Sequence, residues 1–224
     1  PPGGPQAVME RDLEYRVIAA AYDEGALVPK PYCLRDDSLG APFFIMERIE
    51  GETIPRRLFR EATYTDAPQL MAEQLGKILA GIHRIPVEKY PLADLLAPQK
   101  GRSAAEEEIV RYEDKYHSMA REPHPTLELA IRWLRQHLPP DSHRVLVHGD
   151  YRMGNIMFGP EGVRSILDWE LAHIGDPMED LGWICVRSWR FGRDHLPVGG
   201  VGTRTAFQQA YEQAGGYPID PERV

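Results

Sequence analysis

The chain has 224 residues, 42% of them hydrophobic and 27% charged, with a formal net charge of −8. That is enough apolar material for one main core with a smaller attached lobe, which excludes a stapled peptide-scale scaffold and a generally disordered chain. The acidic balance offers no broad electrostatic footprint to nucleic acid or to an anionic membrane, so neither is expected as a partner.

Pro1-Pro2-Gly3-Gly4-Pro5 opens the chain as irregular loop, because proline removes donors and glycine costs backbone entropy. From Met9 to about Tyr22, Leu13, Val17, Ile18 and Ala21 recur at helical spacing. After Pro29-Lys30-Pro31, the β-rich run from Pro42 to Gly51 reads as one strand leading into a connector. Asp66 is placed to cap a long helix, with Gln69 three residues on and a stripe of Leu70, Met71, Leu75, Ile78, Leu79 and Ile82 that marks it as the central core helix. Ser103 and Glu106 form a capping box for a charged helix to about Met119, in which Glu106-Glu107-Glu108 reads as a solvated face. Leu127, Ile131, Leu134 and Leu138 mark a third helix beyond the break at Pro123-His124-Pro125, and both helices are expected to cover the core from one side.

The period then shortens to β-type pieces at Val145–His148, Asn155–Phe158 and Val163–Leu167, with Gly159-Pro160-Glu161-Gly162 as a hairpin turn between the last two. Asp176-Pro177-Met178-Glu179 reads as N-cap, N1 proline and N3 glutamate, ahead of a buried face of Leu181, Ile184 and Cys185. Residues 192–202 are glycine-rich and predict a mobile loop, followed by a last helix around Thr205–Ala214 that stops at Gly215-Gly216. Cys33 and Cys185 are the only cysteines and share no C-x-x-C spacing, which fits a reducing compartment. With neither a signal peptide nor a spanning segment readable, a soluble cytoplasmic protein is the expectation.

The densest polar cluster is His148-Gly149-Asp150, Asn155 and Asp168, at the ends of short apolar strands. Phosphoryl transfer from a nucleotide needs a carboxylate to take the acceptor's hydroxyl proton, and oxygen ligands that hold Mg²⁺ against the phosphates. In this pattern Asp150 would serve as the base, Asn155 would lend an amide oxygen to the metal, and Asp168 would bridge metal and phosphate. H-x-D alone is common by chance, whereas H-x-D-x-x-x-x-N followed by an aspartate that ends an apolar strand is far more specific.

On these residues the sequence resembles the protein-kinase-like superfamily. Val147-His148-Gly149-Asp150-Tyr151-Arg152-Met153-Gly154-Asn155-Ile156 and Ile166-Leu167-Asp168-Trp169-Glu170 are similar to its aminoglycoside-phosphotransferase branch. The stretch from Asp168 to Trp183 is similar to phosphotransferase domains found alone in bacteria or joined to acyl-CoA dehydrogenases.

The resemblance implies an α+β, protein-kinase-like fold: a mostly helical large lobe over residues 51–224 with a small catalytic hairpin, and an incomplete N-terminal lobe and hinge strand over residues 1–50. It implies Asp150 as catalytic base, Asn155 and Asp168 as metal ligands, and Met46, Glu47, Arg48 and Ile49 as the hinge that binds the base of ATP, or GTP. Glu14 would pair with a phosphate-binding lysine, His148 and Asp180 would support the catalytic loop, and Arg152 and Asp176 are secondary candidates. Mg²⁺ would be the cofactor, and the acceptor a small-molecule hydroxyl on a hydroxyacyl compound or an aminoglycoside-like cation. The acidic helix Ser103 to Met119 would repel an anionic acyl-CoA but suit a cationic aminoglycoside, which keeps both acceptors open.

No glycine-rich hairpin or lysine strand precedes Glu14, and Lys30 follows it in the wrong order, so the expectation is a fragment that begins just after that strand. Two rival readings stand beside the phosphotransferase. One is a non-catalytic nucleotide- or ligand-binding module, motivated by the missing lysine. The other is a metal-dependent hydrolase built on His148, Asp150, Asp168 and His173. Taken singly, Asp176 reads first as a helix cap, His83, His117, His124 and His137 as surface or satisfied core histidines, and Trp169, Trp183 and Trp189 as packing residues.

Overall fold

α1 (Arg11–Asp23) forms where the spacing predicts it and buries Glu14, Val17, Ile18, Ala20 and Ala21 on one face. An antiparallel pair follows, β1 (Pro31–Arg35) and β2 (Phe43–Met46), in register through Cys33↔Ile45 and Leu34↔Phe44. This computed structural model describes residues 9–35, 40–92, 101–140 and 143–219, so the Pro-Gly opening of the chain lies outside the described residues. β1 has no counterpart in the sequence reading, since an edge strand in a two-stranded sheet needs no clean alternation. β2 stops at Met46, short of the predicted run. Glu47 N–H still reaches the Lys30 carbonyl at 2.8 Å, and beyond it Arg48 and Ile49 leave the ladder.

A single turn, α2 (Pro55–Leu58), leads to α3 (Ala67–His83), whose Met71, Leu75, Leu79 and Ile82 are all 0% exposed. Burial of such side chains contributes about 1.5–3 kcal/mol each, which makes α3 the spine of the core. Asp66 does not cap it. Its backbone is already helical (φ −92°, ψ −20°) and its carboxylate makes no cap bond, whereas a capping side chain needs an extended residue to fold back over the first turn.

α4 (Ala104–Met119) does carry its predicted cap, with the Glu106 N–H donating to Ser103 Oγ at 3.1 Å. Its acidic run is not a solvated face: Glu107 lies 3.9 Å from Arg144, and Glu108 3.3 Å from His173. α5 (Pro125–Gln136) buries no residue, and Leu129 is 67% exposed, so its apolar stripe does not cover the core. The Pro-His-Pro break turns α5 back along α4 instead, where Arg135 pairs with Glu113.

β3 (Val145–Val147) pairs antiparallel with β6 (His173–Gly175), while β4 (Ile156–Gly159) and β5 (Gly162–Ile166) form the predicted hairpin. Gln74 of α3 clasps the hairpin, donating to the Glu161 carbonyl and accepting from Val163 N–H, each at 2.9 Å. α6 (Met178–Trp183) starts one residue later than predicted, with Pro177 rather than Asp176 at its N-cap, and Asp176 accepts the Met178 N–H at 2.9 Å from just ahead of it.

Residues 192–202 are not a mobile loop. Val198 is fully buried and bridged to Gly202, and Gly199 N–H donates to the Ile184 carbonyl at 3.1 Å; the glycines supply left-handed turns inside packed structure. α7 (Arg204–Gln213), capped by Thr203, then packs on α3 so closely that a Cβ on Gly76 would lie 2.4 Å from the Phe207 carbonyl oxygen. Among the described residues no helix is long and apolar enough to cross a membrane.

Candidate active site

The β4–β5 register builds the rim of the site. Ile156 pairs with Ile166, so Asn155 and Leu167 flank the open end of the hairpin, where Leu167 N–H donates to the Asn155 carbonyl at 2.8 Å. Asp168 follows at once with φ +68°, a left-handed conformation that costs a non-glycine residue on the order of 1–3 kcal/mol and turns its side chain out of the strand path.

Asp150 sits in the loop between β3 and β4. Its neighbour Gly149 has φ +77°, and a Cβ there would lie 2.3 Å from the Leu171 carbonyl oxygen, so the loop can pass only with glycine at that point. Buried His148 ties the two loops together. Its Nε2–H donates to the Leu167 carbonyl at 3.0 Å and its Nδ1 accepts the Asp150 N–H at 3.2 Å, which assigns the neutral tautomer. Burial holds its pKa below the usual histidine value, consistent with a neutral ring.

Asp180, fully buried on α6, accepts from His148 N–H at 2.7 Å and Gly149 N–H at 3.0 Å. Burial alone would raise its carboxyl, but His83 and then His148 outweigh it and hold it below the ordinary aspartate value. His83 is the satisfied core histidine of the sequence reading, and it has a further part that the reading missed: Nε2 faces Asp180 at 3.1 Å and Nδ1 faces Tyr211 Oη at 2.8 Å. Its place four residues after Leu79, on the buried stripe of α3, is the signal that points to it.

The Asp150 carboxylate is 14% exposed and accepts from three side chains. Arg152 Nε lies 3.0 and 2.9 Å from its two oxygens, Asn155 Nδ2 lies 2.8 Å from Oδ2, and Trp183 Nε1 lies 2.7 Å from Oδ1. Because Asn155 spends its amide N–H groups on Asp150, its Oδ1 is left as an acceptor without a partner among the described residues, as is the Asp168 carboxylate. Two oxygen donors at one rim fit a hard cation such as Mg²⁺, which keeps several waters and phosphate oxygens as its other ligands. Arg152 lies over the Trp189 ring at 4.9 Å and over Gly154, where a Cβ would meet its Nη1 at 2.1 Å.

Other expectations fare differently. Glu14 is buried, but its partner is Arg11 on its own helix rather than a lysine. Burial, then the charges of Asp168 and Glu14, raise the Glu170 carboxyl above the ordinary glutamate value. Met46, Glu47 and Arg48 are exposed and Ile49 half-buried. The chain just beyond them is docked onto the hairpin by two 2.9 Å backbone bonds between Glu52 and Phe158.

The hydrolase set is not assembled. His148 has both nitrogens engaged, and His173 is turned away to Glu179 (3.1 Å) and Glu108 (3.3 Å), with its Nδ1–H on the Leu171 carbonyl at 2.9 Å. Burial works against a charge on His173, yet the two carboxylates prevail and push its pKa up to about 10. Trp183, whose indole N–H donates to Asp150, is the contact the sequence hid, since an indole before an apolar stretch reads as packing.

The comparisons with known proteins converge. The profile of APH, the phosphotransferase enzyme family, matches residues 1–223. Acyl-CoA dehydrogenase family member 11 of Homo sapiens is 31% identical over 195 residues, covering 81% of this chain and 24% of that protein, and family member 10 of Mus musculus is 31% identical over 78% of this chain and 16% of its own length. The chain therefore spans less than a quarter of these curated relatives.

Among solved structures, a Ralstonia eutropha protein described as an aminoglycoside phosphotransferase superposes with TM-score 0.77 and 29% identity, covering 94% of this chain and 67% of that one. An aminoglycoside phosphotransferase solved with streptomycin and ATP superposes with TM-score 0.62 at 15% identity, over 90% of this chain and 65% of that one, a likeness of fold. The α+β, kinase-like fold implied by the motifs is the fold of these neighbours, and the chain belongs to the APH phosphotransferase enzyme family.

Proposed function

We propose that this chain carries the catalytic loop of a Mg²⁺-dependent small-molecule kinase that transfers the γ-phosphoryl of ATP or GTP to a hydroxyl. One observation carries this: Asp150, the free Oδ1 of Asn155 and the unpartnered Asp168 carboxylate share one rim of the β4–β5 hairpin, tied together by His148. Asp150 would orient the acceptor and take its proton as the hydroxyl oxygen bonds to phosphorus and the bridging oxygen leaves with the nucleoside diphosphate. Asn155 and Asp168 would hold Mg²⁺, which supplies charge neutralisation at the phosphates. The Nη groups of Arg152, with no hydrogen-bond partner among the described residues, would face the transferred group.

On this reading residues 1–50 belong to the nucleotide-side lobe, with the backbone at 46–49 as hinge, and residues 51–224 to the helical lobe. The acceptor is read as a hydroxyacyl compound rather than a polycation. Two observations support it beside the relatives' names. The acidic helix α4 is neutralised by Arg111, Arg135, Arg144 and His173, and a mostly apolar cavity of about 660 Å³ opens between α4, α5 and α6, lined by Ile109, Trp133, Leu134 and Met178 together with Asp176 and with Glu108 and Glu179, which pair with His173.

Asp150→Ala and Asp168→Ala, made in the whole protein that contains this chain, are expected to lower phosphate transfer to a hydroxyacyl thioester by about 10²–10⁴-fold. Transfer at the parent rate in either variant would overturn the assignment, and transfer to an aminoglycoside alone would overturn the acceptor. The binding-module reading keeps one observation in its favour, the pairing of Glu14 with Arg11, and tight nucleotide binding with no transfer to any alcohol would select it.

A further inference from the structure

α6 is only six residues long, yet it touches three consecutive residues of the catalytic loop. Asp180 accepts the backbone N–H groups of His148 and Gly149, and Trp183, three residues further and so on the same helical face, donates its indole N–H to Asp150 Oδ1 at 2.7 Å. From this geometry we infer that Trp183 is a positioning residue for the phosphotransfer proposed above. It holds the Asp150 carboxylate in its working orientation when Arg152 turns to the phosphoryl group.

The three donors to Asp150 are not equivalent. Arg152 is a cation with a 28% exposed side chain, so phosphate oxygens compete directly with Asp150 for it. Asn155 would share its side chain with the metal. Trp183 is neutral, donates a single N–H and has no accepting atom, so neither phosphate charge nor Mg²⁺ draws it off the carboxylate. Its ring is also fixed from behind, edge-on to Trp189 with centroids 5.7 Å apart. Trp189 in turn supports the Arg152 guanidinium with its face. With Arg152 withdrawn, Oδ1 stays anchored by Trp183 and Oδ2 keeps room for the incoming hydroxyl proton.

The inference rests on the phosphotransferase reading, and two measurements on the whole protein separate its failure from the failure of that reading. The first is the ¹H–¹⁵N spectrum of the tryptophan indoles, with the Trp183 signal assigned by its loss in Trp183→Phe. A bond to a carboxylate moves an indole proton downfield, so the Trp183 signal is expected to shift back upfield in Asp150→Asn with no substrate present. The second is steady-state kinetics of Trp183→Phe, where kcat is expected to fall about tenfold with the KM for nucleotide unchanged, because positioning of the base is lost and nucleotide binding is not.

A Trp183 signal indifferent to Asp150→Asn, or full kcat in Trp183→Phe, overturns the inference while leaving the phosphotransferase standing. A parent protein that transfers no phosphate at all overturns both. Should Trp183→Phe not fold, the Asp150→Asn spectrum still decides without assignment, since no indole signal moving upfield would overturn the inference.

Discussion

The frame under the catalytic loop and the α4–α5 helix pair both rely on polar contacts, and they differ in what surrounds those contacts. In the frame, Asp180, His83 and His148 are at most 1% exposed and every acceptor is met by a donor. In the helix pair, Arg135–Glu113 is partly exposed, α5 buries nothing, and apolar side chains face outward. Buried charges are costly unless fully partnered, so the frame can exist only in one geometry; exposed pairs constrain little. The rigid region holds the residues proposed for the chemistry, and the loosely held one borders the cavity where acceptor choice would lie.

Breaking the frame should cost most. Asp180→Ala strands the N–H groups of His148 and Gly149 and the ring of His83, and a loss of roughly 3–5 kcal/mol is expected by urea denaturation; a loss under 1 kcal/mol would remove the contrast.

The junction of the two regions, where His173 of β6 meets Glu108 of α4 and Glu179 of α6, should show an intermediate and pH-dependent effect. His173 has a folded pKa of about 10 against an ordinary 6.5, so the stability it adds is full below about pH 6.5 and fades as pH rises through 10. His173→Gln is accordingly expected to cost about 1–2 kcal/mol at pH 6 and clearly less at pH 10, and a cost that grows with pH would contradict the pairing. The smallest effect belongs to α5. Leu129→Ser, at a 67% exposed site, should change stability by no more than about 0.5 kcal/mol, and a larger loss would mean that the helix face is covered.

Legibility followed the range of the interactions. Asp150, Asn155 and Asp168 could be read because a hairpin of short strands forces its polar ends together, and Ser103 because a capping box is closed within one turn. Asp66 and the α5 stripe misled for a common reason: cap geometry depends on the residue's own backbone angles, and an apolar stripe does not say which neighbour it meets. The glycines of 192–202 read as mobility because composition cannot tell a left-handed turn inside packed structure from one in solvent.

What the chain dictated unaided was local and periodic: the spine helix, the hairpin, and the spacing that brings two carboxylates and a carboxamide to one rim, all consequences of neighbouring residues sharing a face or a turn. Only tertiary packing decided that His83, 97 positions before Asp180, braces it, and that Trp183 grips the Asp150 carboxylate. Those contacts depend on where whole elements settle against each other, and no pattern within a single element encodes that distance or angle.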